Sequence, residues 1–452
     1  MLWLLWTLTG IYTLILLFLF GSKRLRLSRD FFFTLFIAQA FIYLHIAPNF
    51  YAEAINEKRQ VVYFVVQLFA LLFYELPLIV LYRFFYVKAM YKPLNSVTDI
   101  KVNSGKFKTT VILVVAAIWA FAFISIALQY QMLFRRIGHE ALYESTMNMP
   151  TWAFVVYRMF IDTGVFISCV LLVLYYKVQD KYVKVIALFS LIIYVGVYGA
   201  YVLINNRLQT IIYITTLFGV GVYFKNRATK SIKFKRVILF ALLAIYLVKI
   251  VSNIRADFLV NQGNVNVVSV FNPFYKNIGD DPDPMKNRLN GIDMVALYMP
   301  EMPEKGLLYF EPWTHDIKVL FGSFVNSEYA QKSKANLATN ARSVILNSYL
   351  NWDVVDYYQC QLSDVFATFG PIALLFASLL VCLYFAFITK VFHNPKNTFY
   401  LLFSFLILPY MLEFEKDFVN FLLGWVRVLP ILFAIYWLKI FKITHNAPIS
   451  KL

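Results

Sequence analysis

The stretch VVYFVVQLFALLFYELPLIVLY, residues 61–82, decides the class of fold. Apart from its tyrosines it carries one ionisable side chain, Glu75, and its other residues are almost all apolar. A helix rises about 1.5 Å per residue, so a stretch of this length can cross a hydrocarbon core roughly 30 Å thick. We interpret it as a transmembrane helix.

Comparable apolar stretches occur along the rest of the chain, at 2–20, 31–48, 110–130, 151–176, 185–204, 208–224, 237–252, 366–389, 398–412 and 419–438. Together they predict an all-α membrane protein with about 11 (10–12) transmembrane helices. The composition agrees, because 60% of the 452 residues are hydrophobic and only 15% are charged. A soluble domain of this length needs more polar residues to cover its surface.

The charged residues predict the orientation of these helices. Basic residues collect in loops 21–30, 83–109, 177–184 and 225–236 and in the C-terminal tail, whereas loops 49–60, 131–150, 205–207 and 413–418 carry two or fewer each. By the positive-inside rule, the N-terminus lies outside and the C-terminus lies in the cytoplasm. The net charge of +17 is therefore read as an orientation signal and a contact with anionic lipid, with no nucleic acid as partner.

Residues 253–365 interrupt the series of apolar stretches. They hold most of the acidic residues, are rich in Tyr, Asn, Asp and Pro, and lie outside by the same alternation. Helical patterns near 285–298, 315–330 and 340–350 predict a large, partly helical loop that forms a small cap. The predicted organisation is a first bundle of about eight helices at 1–252, the loop at 253–365, and the last helices with the tail at 366–452.

Cysteines and local motifs point away from several classes of site. The three cysteines, Cys169, Cys360 and Cys382, form no CxxC pair, so neither a disulfide framework nor a zinc site is predicted. The chain contains no Walker loop, no GxGxxG after a strand, no HExxH and no GxSxG. The spacing of a calcium loop is also missing, and we expect no cofactor and no metal.

Several cations lie at the predicted outer ends of helices. Arg207 follows Asn206 in a polar hairpin, where its planar fork of donors suits a phosphate; the alternative is an arginine that reaches lipid headgroups. Lys249 lies about two helical turns before Arg255 at the start of the large loop. These two form a second phosphate contact, or they pair with Asp257 or with headgroups.

The densest polar sequence of the large loop is KNRLNGID, residues 286–293. It presents Arg288 and Asn290 to a phosphate or a sugar and Asp293 as a base, or it forms a solvated surface helix. His315, the only histidine of the loop, is a second candidate base, because imidazole titrates near neutral pH. The alternative for His315 is an ordinary surface histidine.

The whole chain resembles the bacterial O-antigen or oligosaccharide repeat-unit polymerases of the Wzy type. The stretch RLNGID (288–293) is similar to an Arg-x-Asn/Asp element of their large periplasmic loop, and DVFATFGP (364–371) is similar to the stretch that leads into the next helix. Asn206-Arg207 resembles the turn of another periplasmic loop. Some members have arginine–glycine pairs at set spacings, and the pairs of this chain, Arg207 with Gly219 and Arg288 with Gly306, differ from them.

The resemblance implies an inner-membrane glycosyltransferase. It would transfer the growing glycan from undecaprenyl pyrophosphate to the non-reducing end of a new lipid-linked repeat at the periplasmic face, with a chain-length regulator protein as a partner. The pyrophosphate leaving group needs cations, for which Arg207, Arg255 and Arg288 are the first candidates. A carboxylate or a histidine, Asp293 or His315, would take the proton from the attacking hydroxyl.

Three other functions fit parts of the sequence. An O-antigen ligase has a similar architecture and would use a histidine of the large loop. A transporter or flippase of lipid-linked sugars needs a polar path through the bilayer, for which the chain offers few charges: Glu75, Arg158, Asp162, Lys249 and Arg427. An acyltransferase would place histidines in its membrane helices, where His45 is the candidate.

Overall fold

The computed structural model describes residues 1–21, 31–87, 98–102, 151–177, 181–205, 207–225, 246, 250, 290–325, 341–352, 360–393, 397–414, 416–439 and 441–445. Its elements, in chain order, are α1 (Leu2–Gly21), α2 (Phe31–Ala52), α3 (Glu57–Phe84), β1 (Thr98–Val102), α4 (Thr151–Lys177), α5 (Lys181–Asn205), α6 (Arg207–Lys225), α7 (Asp293–Tyr298), α8 (Met302–Lys305), α9 (Glu311–Val325), α10 (Ala341–Leu350), α11 (Gln361–Phe369), α12 (Ala373–His393), α13 (Thr398–Met411), α14 (Phe418–Leu423), α15 (Leu429–Trp437) and β2 (Phe441–His445).

The helical class of the fold is confirmed. Within the described residues, four helices are long and apolar enough to cross a membrane: Phe31–Ala52, Glu57–Phe84, Ala373–Phe392 and Phe418–Trp437. Shorter apolar helices occur at Leu2–Phe18, Ile212–Gly221 and Thr398–Met411. The predicted stretches 110–130 and 237–252 fall on residues outside those described, apart from residues 246 and 250. The large loop is partly helical, as predicted, at α7 to α11.

One feature departs from a purely helical chain. Strands β1 and β2 form an antiparallel pair in which Ile100 faces Ile443. The sequence analysis places both segments in non-helical connections, the loop 83–109 and the C-terminal tail. Alternation over five residues is too short to separate a strand from a loop in the sequence, and the pairing joins segments far apart in the chain.

The described residues form two compact units, each assembled from separate segments. Unit 1 comprises Met1–Pro93, Pro282–Lys390 and Tyr410–Val426, and unit 2 comprises Leu94–Asp281, Val391–Pro409 and Arg427–Leu452. The division at 252 and 365, which follows the predicted membrane spans, stays a prediction.

Aromatic rings hold one end of unit 1 together. Phe33, in the first turn of α2, stacks on Tyr82 at the end of α3 with 3.7 Å between ring centroids. The Tyr82 hydroxyl lies 3.2 Å from Thr389 Oγ1 near the end of α12, and both side chains are buried. Phe36, one turn further along α2, contacts Phe385 of α12. Large buried rings of this kind contribute much of the packing energy of such a bundle.

The loop segments gather at the other end of unit 1. The Gly291 amide donates to the Tyr43 carbonyl of α2 at 3.0 Å, and the Gln361 amide donates to the Phe414 carbonyl at 3.3 Å. Two further segments of the loop are joined, one just after Gly306 and the other just before Gly370. The Leu308 amide donates to the Ala367 carbonyl at 3.1 Å. Segments from α2 and from loops 253–365 and 413–418 thus contribute to one region of the unit.

Unit 2 is built on the packing of α4, α5 and α6. Ser168 of α4 and Tyr213 of α6 share a hydrogen bond of 2.8 Å between their hydroxyls. Tyr198 of α5 packs edge-on against Tyr213, with 5.0 Å between centroids. Gly164 of α4 leaves room for the Tyr198 ring, since a Cβ atom added at Gly164 would lie 1.9 Å from that ring.

We expect Gly164→Val to destabilise unit 2. A side chain at this position overlaps the buried Tyr198 ring, and overpacking of this kind costs about 1–3 kcal/mol. The matched control is Gly196→Val on α5, where a Cβ atom meets nothing within 4 Å. Thermal unfolding of the purified protein in detergent measures both variants, and equal midpoints for the two would contradict this packing.

Candidate functional site

Asp293 is held at the start of α7 by the three residues that precede it. The Gly291 amide bonds to the Tyr43 carbonyl, and the Cys360 thiol donates to the Gly291 carbonyl at 3.0 Å. A Cβ atom at Gly291 would lie 3.2 Å from both Cys360 Cβ and the Tyr43 carbonyl oxygen, so a larger residue there would have to displace these neighbours by a few tenths of an ångström. The backbone contacts fix the direction in which Asn290 and Asp293 point.

Four polar side chains meet here, and we call Arg59, Tyr63, Asn290 and Asp293 the Arg59 cluster. Arg59 Nη2 lies 2.8 Å from Asp293 Oδ1, and the Tyr63 hydroxyl donates to the same oxygen. Asn290 Nδ2 donates to the Tyr63 hydroxyl at 2.8 Å. The cluster therefore joins α3 to the large loop across 234 positions of the sequence.

The position of Arg59 follows from the way α3 begins. Asn56 caps the helix, because its side chain accepts a hydrogen bond from the Arg59 amide at 2.9 Å. The Arg59 guanidinium lies 5.9 Å from the centre of the Tyr51 ring, which stacks on Tyr63. The Asn56 cap and the Tyr51 ring orient the Arg59 side chain in the first turn of α3.

Exposure distinguishes the two charged members of the Arg59 cluster. The Asp293 side chain is 7% exposed, whereas the Arg59 side chain is 30% exposed. The guanidinium has five N–H donors, and one of them lies 2.8 Å from Asp293 Oδ1. Because part of this planar group is exposed, an anion can approach it.

A second group of charged side chains lies in unit 1, and we call Asp316, Asp364 and Asp417 the carboxylate cluster. All three are buried. Asp364 accepts hydrogen bonds from Trp313 Nε1 at 2.9 Å and from the Phe418 amide at 2.9 and 3.0 Å. Asp316 Oδ1 accepts from the Ala341 amide at 3.0 Å. The cluster ties α9, α10, α11 and α14 together.

Burial raises the pKa of Asp316 far above its ordinary value, and the charge of the neighbouring Asp417 raises it further. The pKa of Asp364 is raised by the same two causes in the same order. The carboxylate cluster therefore shares protons at neutral pH and does not carry three full charges. Among the described residues, no group of three His, Cys, Asp or Glu side chains has the geometry to hold a metal ion.

The structure brings together two of the predicted site residues, Asn290 and Asp293. His315 is half-buried on α9, between Thr314 and Asp316, and its role as a base stays a prediction. Arg207 is the first residue of α6, and nothing is described of its side chain. The remaining predicted residues lie outside the described ones: Asn206, Lys249, Arg255 and Arg288.

Sequence reasoning missed Arg59 and Tyr63. The low number of basic residues in loop 49–60, of which Arg59 is one, indicates only the side of the membrane on which the loop lies. A signal was present, because Asn56 three residues before Arg59 is the pattern of a helix cap and places Arg59 in the first turn. No local pattern links these residues to Asp293.

Protein-family models, curated proteins and solved structures were compared with this chain, and none of them matches it.

We expect Asp293→Ala to destabilise unit 1 more than Asp293→Asn does. Alanine leaves the buried Tyr63 hydroxyl and the Arg59 guanidinium without their acceptor, whereas the amide oxygen of asparagine preserves it. The difference is about 1–3 kcal/mol, because a buried polar group that loses its partner costs this much. Thermal unfolding of both variants measures it, and equal stability would contradict the contacts described for Asp293.

The carboxylate cluster predicts a pH-dependent stability. Because the pKa of Asp316 is raised by folding, the folded chain keeps a proton that the unfolded chain releases, and stability falls as the pH rises through that window. Asp316→Asn keeps the neutral form at every pH. The unfolding midpoint of this variant should therefore rise relative to that of the wild type as the pH increases from about 5.5 to about 8.5. For one proton, the free energy of unfolding changes by at most about 1.4 kcal/mol per pH unit.

Glu311→Gln is the matched control for Asp316→Asn. It makes the same change of charge on the same helix, at an exposed side chain. Its midpoint should follow the wild-type curve across the pH range. If the two variants behave alike, the protonated state assigned to the carboxylate cluster is wrong.

Proposed function

We propose that this chain is a membrane glycosyltransferase that polymerises lipid-linked oligosaccharide repeat units. It transfers the growing glycan from undecaprenyl pyrophosphate to the non-reducing end of a new lipid-linked repeat at the periplasmic face of the bacterial inner membrane. The proposal includes about 11 transmembrane helices, a periplasmic N-terminus, a cytoplasmic C-terminus and a chain-length regulator protein as a partner.

Contacts between loops agree with the proposed grouping of loops on common sides of the membrane. Two hydrogen-bonded segments outside the hydrocarbon core lie on the same side of a membrane, so an even number of spans must separate them. Arg59 and Asp293 satisfy this condition in the proposed topology, and so do Asp364 and Phe418. Strands β1 and β2 satisfy it on the proposed cytoplasmic side. Every one of these pairs joins segments to which the charge pattern assigns the same side.

The Arg59 cluster is the observation that carries the proposal. It provides a partly exposed guanidinium at the outer end of a membrane helix, beside the segment of the large loop that holds Asp293. A lipid-linked pyrophosphate reaches a protein at this depth, because the lipid chain lies in the bilayer and the pyrophosphate lies at its surface. A fixed cation there stabilises the negative charge that develops on the leaving group.

The residues of the Arg59 cluster have different parts in the proposed reaction. Arg59 contacts the pyrophosphate, together with the predicted cations Arg207, Lys249, Arg255 and Arg288. Asn206 and Asn290 complete the binding site through their amides. Asp293 holds Arg59 in position in the resting site and stays a candidate for the base, as does His315.

Deletion of the gene tests the reaction. The surface polysaccharide, separated on a gel, should change from a ladder to a single capped repeat, because one repeat can still be attached without polymerisation. Loss of all attached glycan would indicate a ligase instead. An unchanged ladder would contradict the proposal as a whole.

Complementation of the deletion strain tests the site. Arg59→Ala should fail to restore the ladder, with a loss of polymerisation of about 10²–10³-fold, because one donor to the developing charge is removed. Lys58→Ala is the matched control, since it removes a neighbouring exposed cation, and it should restore the full ladder. Immunoblots of the membrane fraction establish that both variants are made in equal amounts. A full ladder with Arg59→Ala would remove Arg59 from the site.

A further inference from the structure

His45 and Glu75 form a buried pair in the apolar part of unit 1. His45 lies on α2 and Glu75 on α3, within two helices that are long and apolar enough to cross a membrane. His45 Nε2 lies 2.6 Å from Glu75 Oε2, and both side chains are 0% exposed. An ionisable group at this depth is costly unless a partner compensates it, and such groups commonly have a function.

Both residues lie in segments where the helix departs from α geometry. His45 is within the π-helical segment Ile42–Ile46, and Glu75 ends the π-helical segment Ala70–Glu75. Pro77, two residues after Glu75, has no amide hydrogen to donate to the preceding turn. A π-helical turn has poorer hydrogen-bond geometry than an α-turn and is found frequently at functional sites.

The pair leaves two polar atoms unused. His45 Nδ1 and Glu75 Oε1 are buried, and neither has a hydrogen-bond partner among the residues that the structure describes. The Tyr12 ring lies 5.0 Å from the His45 ring, and the Tyr12 hydroxyl is within hydrogen-bonding reach of the Glu75 carboxylate. Each unmet buried group destabilises the fold, and Nδ1 and Oε1 are the atoms of the pair at which a further proton can bind.

Polar side chains continue from this pair along the same helices. One turn along α2, Asn49 Nδ2 donates to Thr9 Oγ1, and Gln67 Nε2 of α3 donates to Asn49 Oδ1, each at 2.8 Å. Gln60, nearer the start of α3, donates to the Ala52 carbonyl at 2.9 Å. The buried polar residues therefore extend along α3 from Gln60, next to Arg59, to Glu75, a rise of about 22 Å.

We propose that His45 and Glu75 form a proton-binding site inside the membrane part of unit 1. In the unloaded site, the neutral imidazole donates its Nε2 proton to the carboxylate. The loading proton then binds at one of the two unused atoms, as an imidazolium at Nδ1 or as a carboxylic acid at Oε1. It cancels the negative charge of the unloaded pair.

The groups that face the pair are two phenols, a thiol and an amide. Tyr12 of α1 and Tyr74 of α3 are phenols, which ordinarily keep their protons up to about pH 10. Cys360 lies near Tyr74, and burial raises the pKa of its thiol to about 12. Gln361, which accepts a hydrogen bond from Tyr74 at 2.9 Å, does not titrate. These surrounding groups are therefore expected to contribute no proton to a pH-dependent signal measured between about pH 5 and pH 8.

Spectroscopy of the intact protein in lipid bilayers tests the proposal. Infrared difference spectra between about pH 5 and pH 8 report a proton at Oε1 as a carboxylic-acid band, and solid-state NMR of protein with ¹⁵N-labelled histidines reports one at Nδ1. We expect at least one of these signals to change with pH. The chain has five histidines, so the imidazole signal of one residue can be resolved.

Variants assign the pH-dependent signal. Glu75→Gln should remove a carboxylic-acid band, and His45→Gln should remove a titrating imidazole. Tyr82→Phe is the matched control, since it removes a buried hydrogen bond to Thr389 in the same unit and should leave the signal unchanged. Two results together would overturn the proposal. The buried imidazole would keep one protonation state at every pH, and Glu75→Gln would remove no pH-dependent carboxyl band. The wild-type spectra decide this outcome even if a variant does not fold.

Discussion

The absence of hydrogen-bonding solvent around membrane helices is the constraint on which this structure depends. Lipid offers no partner to a polar side chain, so each such group needs one within the protein. Asn49 illustrates this, because its amide connects Thr9 of α1 with Gln67 of α3. Tyr82 with Thr389 and Ser168 with Tyr213 do the same in other helix pairs. These polar contacts therefore connect helices that lie side by side within each unit.

A related constraint applies where the large loop contacts α3 within unit 1. Asp293 begins α7 beside the first turns of α3, and Arg59 and Tyr63 compensate its charge. The carboxylate cluster solves the problem differently, since burial and mutual repulsion favour the protonated acids, as the raised pKa values of Asp316 and Asp364 show. The first arrangement keeps a cation partly exposed and suits the binding of an anion. The second arrangement is buried and connects α9, α10 and α11 with α14.

The sequence predicts the helical class and several site residues, but it does not predict their partners. Asp293 and Asn290 were singled out because polar residues are dense in the sequence around them. The expected cation of that site, Arg288, is a neighbour in the sequence, whereas the observed partner Arg59 is 234 positions away. A charge pattern records the side of the membrane on which a loop lies and contains no information on which loops touch.

Departures from regular helix geometry are likewise hidden from the sequence. Glu75 was recognised as an intramembrane charge, but its contact with His45 joins two π-helical segments that no periodic pattern indicates. Strands β1 and β2 were missed for the same reason, since each is short and its partner lies far along the chain. Local patterns predict elements, and contacts between distant elements decide the site.

The most direct test of the proposed function is the reaction itself, carried out with the purified full-length chain in liposomes that contain a lipid-linked oligosaccharide repeat. We predict that glycans of two or more repeats accumulate on the lipid, with one undecaprenyl pyrophosphate released for each repeat added. The Arg59→Ala protein should release it far more slowly than the Lys58→Ala protein. Intact wild-type protein that releases no undecaprenyl pyrophosphate and forms no longer glycan would contradict the account.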